Sequence, residues 1–402
     1  MLTTTALKVR RDLKNRPGTN KAADATKFQE ASANQRLGGF LLNHLRTNKV
    51  NYQTWKAQAE AKTSLISNSP SISQSLPPLR PDRHLMLSLG QGAPSIDAAA
   101  VIESSYVLAA AAILFIRAIP PLRNRFLAYG SRVSSGKDHV AGAASNVSVP
   151  HEKTSMDALL DWAASLQVPH SWFTSFYMVS LLSSMFWAYE LLLHGSAFQL
   201  VVGNVPDTPR SMTIRQVVVT SAMMLVQGSR RLYECLQFSK PSTSKMFIGH
   251  WIMGVWFYLT MGVAVWIEGI PALTQEKFAL KHFQFVPPTP RTFISFIVFV
   301  LASGAQRDCH GYLSSLKQYA VPEHPAFHAL VCPHYFAECL IYLSMAVQAA
   351  PSGTLLNRTI LSAFIFVAIN LGVTADGTKK WYAKKFGSQS VEGKWRMIPY
   401  LF

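Results

Sequence analysis

Three polar clusters interrupt an otherwise apolar C-terminal third, and their residue types are those of a site. The first is Gln306-Arg307-Asp308-Cys309-His310, which leads to Leu313-Ser314-Ser315-Leu316-Lys317-Gln318-Tyr319. The second is Cys332-Pro333-His334-Tyr335-Phe336-Ala337-Glu338. The third is Thr378-Lys379-Lys380-Trp381-Tyr382-Ala383-Lys384-Lys385-Phe386, and the chain ends Met397-Ile398-Pro399-Tyr400-Leu401-Phe402. Lys317, Lys379, Lys380, Lys384 and Lys385 beside Tyr319 and Tyr382 offer charge, hydrogen bonds and stacking faces to a multiply anionic ligand, a description that a phosphorylated nucleotide meets. The same lysines read equally well as the basic collar of a membrane protein.

Ionisable groups lodged in apolar runs are costly and so point to function, which singles out Glu190, His250, Glu268, His310 and Glu338. Glu190 and Glu268 fall near run ends, where an interfacial role suffices. His250 and Glu338 are not so easily explained. His324 and His328 have helical spacing, but Pro322, Pro325 and Pro333 break the stretch and no further histidine groups accompany it, so no metal is expected. The sequence has no nucleophile elbow, P-loop or complete dinucleotide fingerprint; Gly90-Gln91-Gly92 runs into Pro94. A nucleotide must therefore be held by helices and their loops.

The elements that would position these groups are membrane helices. With 49% hydrophobic residues, 15% charged and a formal charge of +17, the chain is too apolar for an ordinary soluble domain, yet strongly basic. Its basic residues fall between apolar runs and not on one face, which excludes a nucleic-acid interface. Seven runs approach the roughly 20 residues that cross the hydrocarbon: 101–119, 171–193, 214–235, 247–270, 291–305, 333–349 and 355–373, the fifth and sixth short or interrupted. The expected fold is all-α and multi-pass, with about seven transmembrane helices and no Rossmann domain. The expected division is a polar basic extension over 1–100, substrate-cavity helices over 101–290 and a cofactor-binding part over 291–402.

Residues 1–100 hold 14 Lys plus Arg against 6 Asp plus Glu and repeat no apolar period, so a disordered extension is expected ahead of a targeting segment. Loops after the odd-numbered runs carry 17 basic residues and the opposite side six, which sets the C terminus in the cytosol. The basic extension then falls on the other side, against the rule. Of the sequons Asn146-Val147-Ser148 and Asn357-Arg358-Thr359, only the second lies on the predicted lumenal side. Cys235, Cys309, Cys332 and Cys339 lie in or beside apolar runs with no metal-like spacing and are expected to be free buried thiols.

At these clusters the sequence resembles the steroid 5-alpha-reductase family, and within it the polyprenol (polyprenal) reductase branch. The likeness continues upstream through Leu127-Ala128-Tyr129-Gly130-Ser131-Arg132, Val168-Pro169 with Trp172-Phe173 and Phe176-Tyr177, Arg230-Arg231-Leu232-Tyr233-Glu234-Cys235, and His250-Trp251. It implies a seven-helix reductase of the endoplasmic reticulum membrane whose C-terminal half clasps NADPH, with Gln306, His310, Lys317, Tyr319, His334, Glu338, Lys380 and Tyr382 lining the cofactor. Steroid-reducing members carry a carboxylate just before a Leu-Pro pair and a tyrosine shortly before the basic pair. This chain has Gln167 and Gln227-Gly228 at those places, which favours a polyprenoid lipid substrate in the bilayer.

Hydride addition needs an electron-poor carbon, which an α,β-unsaturated aldehyde has and an allylic alcohol lacks, so polyprenal is the expected substrate on a route to dolichol. Gln227, Tyr233 and His250, with Tyr177 a weaker choice, are the candidate donors to the carbonyl oxygen. A reductase of another activated alkene, a 3-oxo-4-ene steroid or an enoyl thioester, is the nearest alternative. A non-catalytic lipid-binding membrane protein is another.

Overall fold

The computed structural model describes residues 97–127, 154–206, 211–240, 243–284, 286–316 and 320–402. The extension over 1–96, the Gly90-Gln91-Gly92 pair, the Asn146 sequon, Lys317 and Tyr319 lie outside the described residues. Residues 97–402 belong to one compact unit, and it is helical apart from one small ribbon.

In chain order the first elements are α1 (Ala98–Ala118), α2 (Pro120–Phe126), α3 (Ser155–Ser165), β1 (Gln167–Pro169), α4 (Thr174–Leu193), α5 (Ser196–Val202) and α6 (Ile214–Phe238). There follow β2 (Lys245–Phe247), α7 (Ile248–Ala264), α8 (Ile270–Gln275), α9 (Pro290–Ser315), α10 (Ala326–Ala329), α11 (Pro333–Gln348) and α12 (Arg358–Phe386). Local chemistry sets the starts of the long helices. Asp97 caps α1, Thr213 and Gln216 form a reciprocal capping box at α6, Thr289 precedes Pro290 in the first turn of α9, and Asn357 caps α12. β1 and β2 pair antiparallel with Val168 opposite Met246, and this clip holds the entrances of α4 and α7 side by side.

All seven apolar runs are largely helical, and among the described residues four helical stretches are long and apolar enough to cross a membrane: Ala98–Ala118, His170–Leu193, Ile248–Gln275 and Arg358–Phe386. The other three, α6, α9 and α11, carry the polar clusters or are too short to qualify, with α11 only 16 residues long. Two expectations change here. The fifth run is not a short helix, because α9 continues ten residues beyond Ala305 to Ser315 and takes Gln306 and His310 into its body. Arg230 and Arg231, counted above among the 17 basic loop residues, are not a loop collar either: they sit within α6, with Arg231 buried.

The main core gathers aromatic rings from α1, α7, α11 and α12: Tyr106, Phe257, Tyr342 and Phe366. A second small core of Val331, Cys332, Cys339, Ala375, Val391 and Met397 fixes the C-terminal tail. The tail is pinned by Val331 and Cys332 amides donating to the Trp395 and Arg396 carbonyls at 2.8 and 3.0 Å, and by Arg396 Nε donating to Asp376 at 2.7 Å. The four cysteines are free thiols, three of them buried. Glu190 and Glu268 serve helix ends: Glu190 accepts from the Ala197 and Phe198 amides of α5, and Glu268 from the Thr359 amide and hydroxyl of α12. Asn357 is fully buried, accepting from the Ile360 amide and donating to the Ala349 carbonyl, so the second sequon is a helix cap and not a surface acceptor.

Candidate active site

Residues three and four apart share a helix face, and α6 uses that spacing to line up Gln227, Arg230, Arg231 and Glu234. In a low-dielectric interior such a row must be answered by partners, and α9 and α11 supply them. Glu234 is ion-paired to both Arg230 and Arg231 and stands 2.9 Å from His310 Nδ1 of α9. Arg230 also donates to the amide oxygens of Gln227, at 2.7 Å, and of Gln306. With both amide oxygens so engaged, the two amide nitrogens turn to one acceptor: Gln227 donates to Glu338 Oε2 at 3.2 Å, and Gln306 donates to the same oxygen. Arg231 reaches the other way, donating to the Tyr177 hydroxyl of α4 at 2.8 Å and lying over its ring. One connected network therefore crosses four helices.

This network forms a wall of a cavity of about 590 Å³. Arg231, Gln306, His310 and Glu338 give the polar wall, and Phe173, Phe176, Met253, Phe257 and Phe366 an apolar one. Tyr177, Tyr258 and Tyr342 line it as well, all buried. Arg117, Arg123, Asn124 and Lys380 add a polar, partly exposed rim. At that rim Asp376 of α12 is paired with Arg117, Lys380 and Arg396 at 2.7 to 3.0 Å, which ties α1 and the tail to the mouth.

The predicted site residues divide accordingly. Gln306, His310, Glu338, His250 and Lys380 line the cavity. Gln227 stands behind Glu338, only 1% exposed, as a positioning partner. His334 packs edge-on to His310, with ring centroids 5.4 Å apart. Tyr233 is not gathered in: it is 53% exposed beneath the Arg307 guanidinium. Tyr382 packs with Trp381 and Phe386 beside the tail and does not line the cavity. Lys379 donates to the Lys394 carbonyl, so part of the basic cluster serves to hold the tail.

Sequence reasoning missed Arg231, Tyr258 and Tyr342 as lining residues. The signal for Arg231 was present in its spacing from Gln227 and Glu234, whereas lone tyrosines in apolar helices give none. Gln167, at the place of the steroid members' carboxylate, is exposed on β1 and outside the cavity. Gly228 faces Ser180 so closely that any side chain there would meet the α4 wall.

The residues present fit a nicotinamide dinucleotide. Its carboxamide needs donors and acceptors together, and the Gln306, Glu338 and His310 wall has both. The Nδ1 atom of His334 is buried behind His310 without a hydrogen-bond partner among the described residues, and His334 does not itself line the cavity. Arg123 and Lys380 at the rim suit phosphate oxygens.

Comparison with known proteins agrees with this architecture. Residues 244–402 match the family model described as 3-oxo-5-alpha-steroid 4-dehydrogenase. Polyprenal reductase 2 of Oryza sativa subsp. japonica is 25% identical over 289 residues, covering 59% of this chain and 80% of the relative. Polyprenal reductase of Xenopus tropicalis is 26% identical over 268 residues, with 60% and 82% covered. That of Saccharomyces cerevisiae is 24% identical over 257 residues, with 63% and 82% covered. Residues 244–402 thus resemble the steroid 5-alpha-reductase family, polyprenal reductases are among the relatives of the chain, and the activity these likenesses indicate is that of an oxidoreductase acting on a carbon–carbon double bond.

Proposed function

We propose that this protein reduces the α-isoprene double bond of polyprenal with NADPH, in the endoplasmic reticulum membrane, as a step toward dolichol for protein glycosylation. The observation that carries the reading is one cavity with a hydrogen-bonding wall from α6, α9 and α11 and an apolar wall from α4, α7 and α12. In this reading residues 291–402 supply Gln306, His310, Glu338 and Lys380 to the cofactor, braced by α6, while 101–290 shape most of the lipid cavity and Phe366 of α12 completes its apolar wall. Bound NADPH would supply a hydride to the carbon β to the aldehyde, and a proton would then return to the α carbon to complete the saturation.

The protein's own residues do the rest. Gln306, His310 and Glu338, braced by Gln227 and Arg230, would orient the cofactor's carboxamide, and His334 backs His310. Charge develops on the aldehyde oxygen as the β carbon is reduced, and a fixed donor there lowers the barrier. Tyr177 is suited to that task. Its oxygen accepts from Arg231, so its own proton is left to point into the cavity toward a substrate oxygen. Tyr258, with its ring 5.6 Å from that of Tyr177, and His250 line the same region. The phenyl rings and Met253 keep water from the reacting carbons.

The test is to give the purified full-length protein in nanodiscs NADPH with polyprenal, polyprenol or a 4-ene-3-one steroid, and to follow products by mass spectrometry. Dolichal from polyprenal, with polyprenol inert, is expected. Saturation of the steroid alone, or of polyprenol without prior oxidation, would sink the reading.

A further inference from the structure

Beside the cavity runs a second hollow that the chemistry above does not use. It is an apolar trough of about 570 Å³ on the outer face of the helices, lined by Ile102 of α1, Val179, Leu182 and Phe186 of α4, and Leu259 and Val263 of α7. Leu182 is 62% and Phe186 47% exposed, so the trough is open on the side of the bilayer.

Its place relative to the cavity is fixed by helix arithmetic. On α4 the cavity takes Phe176 and Tyr177 and the trough takes Val179 to Phe186; on α7 the cavity takes His250 to Tyr258 and the trough Leu259 to Val263. At 1.5 Å per residue the trough lies roughly 10 Å further along both helices. On the oppositely directed α1, the cavity touches Ile113 and the trough Ile102, a displacement of the same sense.

A chain leaving the cavity has few ways out on this side. α4 and α7 are closed against each other at both levels, because a Cβ at Gly254 or Gly262 would overlap Phe176 or Ser183. α1 packs extensively against α12 and only lightly against α7, where Tyr106 meets the rings of Trp256 and Phe257. Tyr106 is thus a thin partition. Its hydroxyl donates to Thr260 of the trough wall at 2.9 Å, while its ring packs on Phe257 and Phe366 of the cavity wall, with centroids 6.0 and 6.2 Å away. Thr260 in turn donates to backbone carbonyls of α7, so its hydroxyl faces inward and the trough stays apolar.

We propose that this trough seats the isoprenoid tail of the substrate, with Tyr106 as the movable partition past which the tail leaves the cavity. The proposal rests on the activity proposed above and makes the trough the determinant of chain length. A two-isoprene aldehyde is short enough to need no trough, whereas the tail of a long polyprenal must find apolar surface outside the cavity, and the trough is the concave one beside it.

The test compares a two-isoprene aldehyde with a long-chain polyprenal as substrates of wild type and of Val263→Phe and Leu182→Trp, which fill the trough from opposite walls. The expected result is a long-chain kcat/KM lowered about tenfold or more, with the short-chain value within about twofold of wild type. Equal loss for both substrates, or no loss for the long one, overturns the proposal. In parallel, a long-chain polyprenal analogue with a photoreactive terminal isoprene should label residues 182–187 or 259–263, competed by unlabelled polyprenal and not by phospholipid. Labelling that phospholipid removes equally would mean a bulk-lipid contact only and also overturns it. A wild type that reduces neither aldehyde fails the activity reading, and the labelling then decides the trough by itself.

Discussion

Glu338 is the residue on which the cavity's polar wall converges, and its chemistry makes a sharp test. Two amide nitrogens, from Gln227 and Gln306, donate to it because Arg230 holds both amide oxygens. A carboxylate can accept from both and still face the cavity. Glu338→Gln keeps the volume but replaces one acceptor oxygen with a donor, so hydrogen bonds to a charged group worth about 1.5–3 kcal/mol are lost or inverted. The expected outcome is a KM for NADPH raised by roughly tenfold to a hundredfold, read from initial rates, with membrane insertion unchanged. Tyr177→Phe should act differently, lowering kcat by about a hundredfold with the NADPH KM little changed, because its donor is needed only as charge develops. Tyr233→Phe should leave kcat within about twofold, since that ring lies outside the cavity; a large loss there would restore it as a donor. At this scale the sequence was informative where polarity and apolar context clashed, as at Gln306, His310 and Glu338. It was silent on Tyr258 and Tyr342, whose side chains suit a core as well as a site, and it misled at Arg230-Arg231, where the charge pattern resembled a collar.

The helices explain why. Runs of apolar residues located the long helices among the described residues, because lipid contact and helix contact demand the same side chains. What hydropathy could not see was that α9 runs ten residues past its apolar part, since there the cost of Gln306 and His310 is offset by α6 and α11, which are remote in sequence. The element most exposed to loss of that balance is α6. Glu234→Leu leaves the Arg230 and Arg231 guanidiniums without their shared carboxylate, and breaking such a buried arrangement costs about 3–5 kcal/mol. A markedly lower unfolding midpoint of the purified protein is expected, and an unchanged midpoint would mean that water reaches the pair. Outside the membrane helices, α3 is clasped to α2 by Arg125, which donates to Asp161 at 2.7 Å and to Asp157 at 3.0 Å. A hydrogen bond from the Thr154 hydroxyl, and then the Arg125 guanidinium, hold the Asp157 carboxyl below its usual range. A lowered folded value means that the clasp contributes above the unfolded pKa and is lost as pH falls through the folded one. Amide protection factors in residues 155–165, which are corrected for the intrinsic pH dependence of exchange, should therefore hold from neutral pH down and fall only below about pH 4; a fall already near pH 6 would assign the clasp to another group.

For the whole molecule, the distribution of charge carries the proposed orientation. Moving Arg230 and Arg231 from the collar into the site leaves fifteen of the seventeen basic residues counted on the C-terminal side, against six opposite, so the asymmetry survives the correction. The structure adds a reason for the charge beyond topology. Arg117, Lys380 and Arg396 converge on Asp376 at the cavity mouth, and Arg123 stands exposed on the same rim. The proposed cofactor is a water-soluble dinucleotide supplied from the cytosol, and its phosphates would meet that rim. Topology and catalysis therefore make the same demand on one end of the bundle. An epitope appended after Phe402 should be digested by protease added to sealed microsomes, while Asn357, fully buried as the cap of α12, should carry no glycan whichever way the protein faces. Protection of the epitope until detergent is added would place the rim in the lumen, and the cofactor would then have to be supplied from that side.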